Sequence, residues 1–167
     1  MKITLIGYGE VGRILAEDLR RQDLAVTAFD LKLHGEAGEP LREHALLNGV
    51  TLADSHAGAV HGAELVISAV TASQAVPVAQ ACAPGLAAGC FFLDFNSASP
   101  GAKIRAAEVV NAVAGRYVEG AVMTSIPPYR IKVPLLLGGP GHRRAPWRSR
   151  PGHRSRATRR VASCHGS

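Results

Sequence analysis

Residues 2–30, KITLIGYGEVGRILAEDLRRQDLAVTAFD, constrain this chain more than any other stretch. Ile3, Leu5 and Ile6 form a short apolar run, and Gly7, Gly9 and Gly12 follow at once in the spacing G-x-G-x-x-G. Val11, Ile14, Leu15 and Leu19 then recur at helical spacing, residues 25–29 make a second apolar run, and Asp30 closes it. The order is strand, glycine turn, helix, strand, acid, and it is the order that a dinucleotide site requires. Gly7 permits the tight turn, Gly9 lets a pyrophosphate approach the backbone, and Gly12 lets helix and strand pack closely. The helix N-terminus offers free N–H groups and a partial positive charge to phosphates. Asp30 is placed to accept hydrogen bonds from the adenosine ribose and to repel a 2′-phosphate, which favours NAD over NADP.

The remaining text alternates in the same way. After a Gly- and Pro-broken loop, a short helix is expected over 41–47 and a short strand over 50–52, with Asp54 or Ser55 capping a small helix that runs to Val60. Residues 64–70 (ELVISAV) form a continuous apolar run suited to a strand covered on both faces. Thr71 and Ser73 open a helix reaching Cys82, and 90–95 (CFFLDF) is the next strand. Asn96, Ser97 and Ser99 line the turn at its end, and Pro100 opens a helix over 100–113 that Gly115 terminates. Residues 117–123 are a further strand, Pro127 and Pro128 break the chain, and 133–137 (VPLLL) is the last strand before Gly138 and Gly139. Such alternation implies an α/β fold, doubly wound around a mostly parallel sheet with helices on both faces.

At 167 residues and 47% hydrophobic content the chain suits one packed domain. It contains no apolar run of about 18 residues, and its start enters a strand without the pattern of a signal peptide. Cys82, Cys90 and Cys164 make no C-x-x-C pair and no metal spacing, as expected of incidental thiols in a reducing cytoplasm. The net charge of +6 comes from one end, since residues 141–167 hold eight arginines and no acid. Setting those aside leaves 11 basic and 13 acidic residues. The expected division is therefore a domain over 1–139 and a basic tail over 140–167, too polar to fold by itself. The tail reads as an out-of-frame end or as an arm for nucleic acid, the latter with Trp147 as its one aromatic.

The segments IGYGEVG, LVISAV, FLDFNSASP and YVEGAVM…VPLLLGG resemble the N-terminal domain of the β-hydroxyacid dehydrogenases, which include 3-hydroxyisobutyrate and 6-phosphogluconate dehydrogenases. The likeness spans 1–139 and implies a Rossmann-type fold in an oxidoreductase that passes hydride between a nicotinamide cofactor and a small hydroxy acid. By resemblance, Gly7, Gly9, Glu10, Val11 and Gly12 would hold the pyrophosphate and Asp30 the ribose, with Val70 and Thr71 turning over the cofactor. Asn96 and Ser97 would lie near the nicotinamide ribose and substrate. Where the family carries Ser-Gly-Gly for substrate, this chain reads Met123-Thr124-Ser125, and Arg130 and Lys132 just beyond are candidates for a substrate carboxylate. The family's catalytic lysine and dimer contacts belong to a C-terminal helical domain, for which the present chain leaves no room; no lysine follows Lys132. The expected alternative is a dinucleotide-binding module without catalysis.

Overall fold

The first strand, β1 (Lys2–Ile6), is buried on both sides and lies inside the sheet, third from one edge. The computed structural model describes residues 1–139. Six further strands complete one sheet: β2 (Ala25–Phe29), β3 (Thr51–Leu52), β4 (Leu65–Ser68), β5 (Phe91–Asp94), β6 (Arg116–Val122) and β7 (Leu135–Gly138). Their order is β3-β2-β1-β4-β5-β6-β7. All neighbours are parallel except β6 and β7. The doubly wound, mostly parallel expectation is thus met.

Side chains of a strand alternate between faces, and the two cores follow that alternation. Ile3, Leu5, Val26, Ala28, Ile67 and Leu93 face one way, against Leu15 and Leu19 of α1 (Glu10–Arg20) and Leu41 and Ala45 of α2 (Glu39–Asn48). Ile6, Phe29, Val66 and Phe92 face the other. There they meet Val60 of α3 (His56–Val60), Val78 and Ala79 of α4 (Ala75–Cys82), and Ala106 and Val110 of α5 (Pro100–Ala112). The buried Thr4 hydroxyl donates to the Ala59 carbonyl at 2.7 Å, so the polar residue of β1 is satisfied.

Several local expectations change. The loop after Asp30 contains two 3₁₀ turns, Leu31–His34 and Glu36–Gly38, and Pro40 sits in the first turn of α2, where proline is favoured, rather than breaking the chain. Ser55, not Asp54, caps α3, its hydroxyl accepting from Gly58 N at 3.1 Å. Helix α5 stops at Ala112, and the left-handed residue after it is Ala114 (φ 59°), not Gly115. Gly115 is required instead because a Cβ there would lie 2.8 Å from Val110 Cγ1. Pro127 and Pro128 lie inside a single helical turn, α6 (Ile126–Tyr129). So short a connection does not cross the sheet, and the chain returns as β7 antiparallel to β6.

The segment after α6 is pinned to α1 by ions. Arg130, with φ 54°, donates from Nη2 to Glu17 Oε2 at 2.6 Å and from Nε to Asp18 Oδ1 at 2.9 Å. The Ile131 amide donates to Asp18 Oδ2 at 3.1 Å. A hydrogen bond from His44, ahead of those from Arg130, holds the Glu17 carboxyl below its ordinary range. Burial alone would raise that of Asp18, but the Ile131 amide, Arg130 and Arg21 together bring it down. Both folded-state values lie below the unfolded ones, so this stabilisation is complete above the usual carboxylate range and is lost as pH falls through the folded values. Urea unfolding should show stability dropping between about pH 5 and pH 3, with a shallower drop in Arg130→Met, and the variant should be about 1–2 kcal/mol less stable at neutral pH.

Candidate functional site

The C-terminal ends of β1, β2, β4 and β5 lie side by side, and the sequence-predicted residues sit on the turns that leave them. Between β1 and β4 the winding reverses, the place where open α/β sheets bind ligands. Gly7 leaves β1 with φ 93° and donates to the Phe29 carbonyl at 2.9 Å. A Cβ on Gly7 would fall 2.3 Å from the Ala69 carbonyl oxygen, and one on Gly12 would fall 2.1 Å from the Gly7 carbonyl oxygen. These two glycines are demanded by the protein itself. Gly9 is not: a Cβ there would meet nothing within 4 Å. Gly9 is also the N-cap of α1, and no side chain caps that helix. Its first N–H groups, those of Glu10, Val11 and Gly12, have no partner within the helix, and the space beside Gly9 is open. A diphosphate fits such a cradle: bare amides, a helix N-terminus and no side chain in the way.

Asp30 is joined directly to this turn. Its Oδ2 accepts from the Tyr8 amide at 2.8 Å and its Oδ1 from the Lys32 amide at 2.9 Å. The Tyr8 ring is fully buried. Its hydroxyl lies 2.9 Å from His44 Nδ1, and His44 Nε2 lies 3.1 Å from Glu17 Oε1. A carboxylate only accepts, so Nε2–H donates to Glu17, and the Tyr8 hydroxyl is placed to donate to Nδ1. Burial, the largest influence, pushes the Tyr8 phenol up to about 12, which keeps its proton in place for that bond.

The strand ends of β4 and β5 are tied by Asn96. Its Oδ1 accepts from the Val70 amide at 2.7 Å, and its Nδ2 donates to Ser68 Oγ at 3.0 Å. Val70 also reaches the Gly7 turn, since its Cγ1 would stand 2.9 Å from a Cβ there. Thr71 and Ser97 are exposed on the same rim. Met123 is 55% exposed beyond β6, two strands from β4, or roughly 10 Å across the sheet. The structure thus gathers Gly7, Gly9, Glu10, Val11, Gly12, Asp30, Val70, Thr71, Asn96 and Ser97, and leaves Met123 at the edge of the group. Arg130 is not available to a substrate carboxylate, being committed to Glu17 and Asp18; Lys132 is exposed.

Sequence reasoning missed a buried cluster below Asn96. Asp94 Oδ1 accepts from the Asn96 amide at 2.8 Å, its Oδ2 from Tyr117 Oη at 2.5 Å, and Lys103 Nζ stands 3.4 Å from Oδ1. Burial, then the bond to Asp94, raises the Tyr117 phenol far above its ordinary value. One signal was present: Lys103, Ala106 and Val110 form the buried stripe of α5, so a lysine occupies an apolar position. Burial lifts the thiols of Cys82 and Cys90 to about 12 and about 11, leaving both protonated at neutral pH. Among the described residues no group of three or more His, Cys, Asp or Glu is arranged for a metal, and no helix is long and apolar enough to cross a membrane. Cys164, the basic tail and its nucleic-acid reading lie outside the described residues.

Comparisons with solved structures agree with this fold. A conserved hypothetical protein from Sinorhizobium meliloti 1021 is 37% identical, with 82% of this chain and 46% of that one covered at a TM-score of 0.77. The conserved protein MTH1747, described as similar in structure to 3-hydroxyacid dehydrogenases, is 26% identical over 82% of this chain and 49% of that one (TM-score 0.69). The fold of Mycobacterium tuberculosis 3-hydroxyisobutyrate dehydrogenase, solved with L-serine, superposes at a TM-score of 0.75 with 19% identity, covering 87% of this chain and 49% of that one. The chain spans about half the length of these structures. No curated protein matches it. Residues 2–124, from β1 through the end of β6, match the NAD binding domain of 6-phosphogluconate dehydrogenase, and the chain belongs to that family.

Proposed function

We propose that this chain is the dinucleotide-binding part of an oxidoreductase that moves hydride between NAD and a small hydroxy acid. The observation that carries the reading is the open side of Gly9 beside the uncapped start of α1. Packing requires Gly7 and Gly12 but not Gly9, and a diphosphate lying against that open face would account for the missing side chain. The amides of Glu10, Val11 and Gly12 would hold the pyrophosphate, and Asp30 the adenosine ribose. Val70, Thr71 and Ser97 would line the path toward the nicotinamide, and Asn96 would hold that rim in shape. The cofactor, when bound, supplies the hydride chemistry. What this chain contributes is placement, and turnover is proposed for the whole protein.

NAD is preferred over NADP in this reading. Both Asp30 oxygens already accept backbone amides, so the carboxylate is fixed in place. Its remaining acceptor sites suit ribose hydroxyls, and its charge opposes a 2′-phosphate.

Two measurements test the proposal. Gly9→Asp should unfold within a degree or two of the wild type and lose NADH affinity at least tenfold, read by fluorescence titration, because its carboxylate faces the diphosphate across open space. Gly12→Ala, by contrast, should lose about 1–3 kcal/mol of stability, since neither backbone can yield easily. If Gly9→Asp binds NADH as the wild type does, the cradle is not a cofactor site. Separately, Asp30→Asn keeps an acceptor for the Tyr8 amide while removing the charge. The ratio of NAD to NADP affinity should fall in it by roughly tenfold, about 1.4 kcal/mol, and an unchanged ratio would exclude Asp30 as the discriminating residue.

A further inference from the structure

Lys103 is only 8% exposed, yet it lies on the wall of a cavity of about 130 Å³ between the ends of β5 and β6, together with Asn96, Ser97 and Glu119. Its ammonium donates to the Asp94 carbonyl at 3.3 Å and stands 3.4 Å from Asp94 Oδ1. Both distances are long for a charge-assisted bond. Asp94 has shorter partners in the Asn96 amide and the Tyr117 hydroxyl. An ammonium has three protons, and Asp94 does not exhaust them. The cavity has the volume of about four waters, which suits a small organic acid. The lining also carries the exposed Glu119, whose carboxylate repels a second anion and accepts from a hydroxyl.

We propose that Lys103 is the specificity-determining residue for substrate in this cavity: it receives the carboxylate of a small hydroxy acid, with Ser97 as a further donor, while the hydroxyl end lies toward Glu119. The assignment rests on the oxidoreductase reading above and adds to it the group that selects an acid. It differs from the expectation that residues 130 and 132 take that role, since Arg130 is bonded to α1.

The test compares 3-hydroxypropanoate with 3-hydroxypropanamide, which share size and hydroxyl and differ in charge. Each is titrated by amide chemical shifts into wild type, Lys103→Met and the double variant Lys103→Met/Asp94→Asn, with and without saturating NADH. The wild type should prefer the acid by tenfold or more, and both variants should bind acid and amide about equally while NADH affinity changes by less than about twofold. The double variant removes the buried charge that Lys103→Met leaves unpaired, so folding is kept. If Lys103 serves only as a counter-ion to Asp94, the double variant retains the preference for the acid and the proposal is overturned. A wild type with no preference overturns it as well. Failure of the wild type to bind NADH would count against the cofactor reading, and the acid-to-amide ratio without NADH would still decide the role of Lys103.

Discussion

The architecture depends on how closely two pieces of backbone approach each other where the first strand ends. The carbonyl of Gly7 lies so near Gly12 that a methyl group there would be 2.1 Å away, and Gly7 itself is pressed against the Ala69 carbonyl. This contact brings α1, β1 and the turn after β4 together at one point. It sets the entry angle of α1, directs the helix N-terminus at the seam between β1 and β4, and leaves Gly9 facing outward. The two cores then fill in on either side of a sheet whose central strands are buried on both faces.

Polar bonds secure the rim above that packing. Side chains join three of the neighbouring strand pairs. Asp30 joins β2 to the β1 turn, Asn96 joins β5 to β4, and Asp94 with Tyr117 joins β5 to β6. On the helical side, Glu17 and Asp18 draw in both His44 of α2 and Arg130 of the last connection. The buried members are hydrogen-bonded, as low-dielectric surroundings require.

Local patterns made most of this legible. The strands and helices announce themselves by period, and the glycine turn by spacing, because their causes act over a few residues. What was hidden depended on distance along the chain. Arg130 looked like a free loop cation because its partners lie 112 and 113 positions earlier. The reversal of β7 follows from how little the preceding connection can span, which composition does not reveal. Lys103 could be placed on a helix but not against Asp94, nine residues earlier on a neighbouring strand. At Ala114 and Gly115 the general preference for glycine in left-handed positions yielded to a steric demand one residue later.

The bond between Asp30 and the Tyr8 amide has a consequence for kinetics. The turn is already assembled by contacts within the protein, down to the buried Tyr8 ring and its link to His44. A dinucleotide bound there as proposed would meet a finished mould with no loop to organise, leaving little conformational entropy to lose on capture. A cofactor site of this kind would discriminate by shape and charge at first encounter, its selectivity being set when the chain folds.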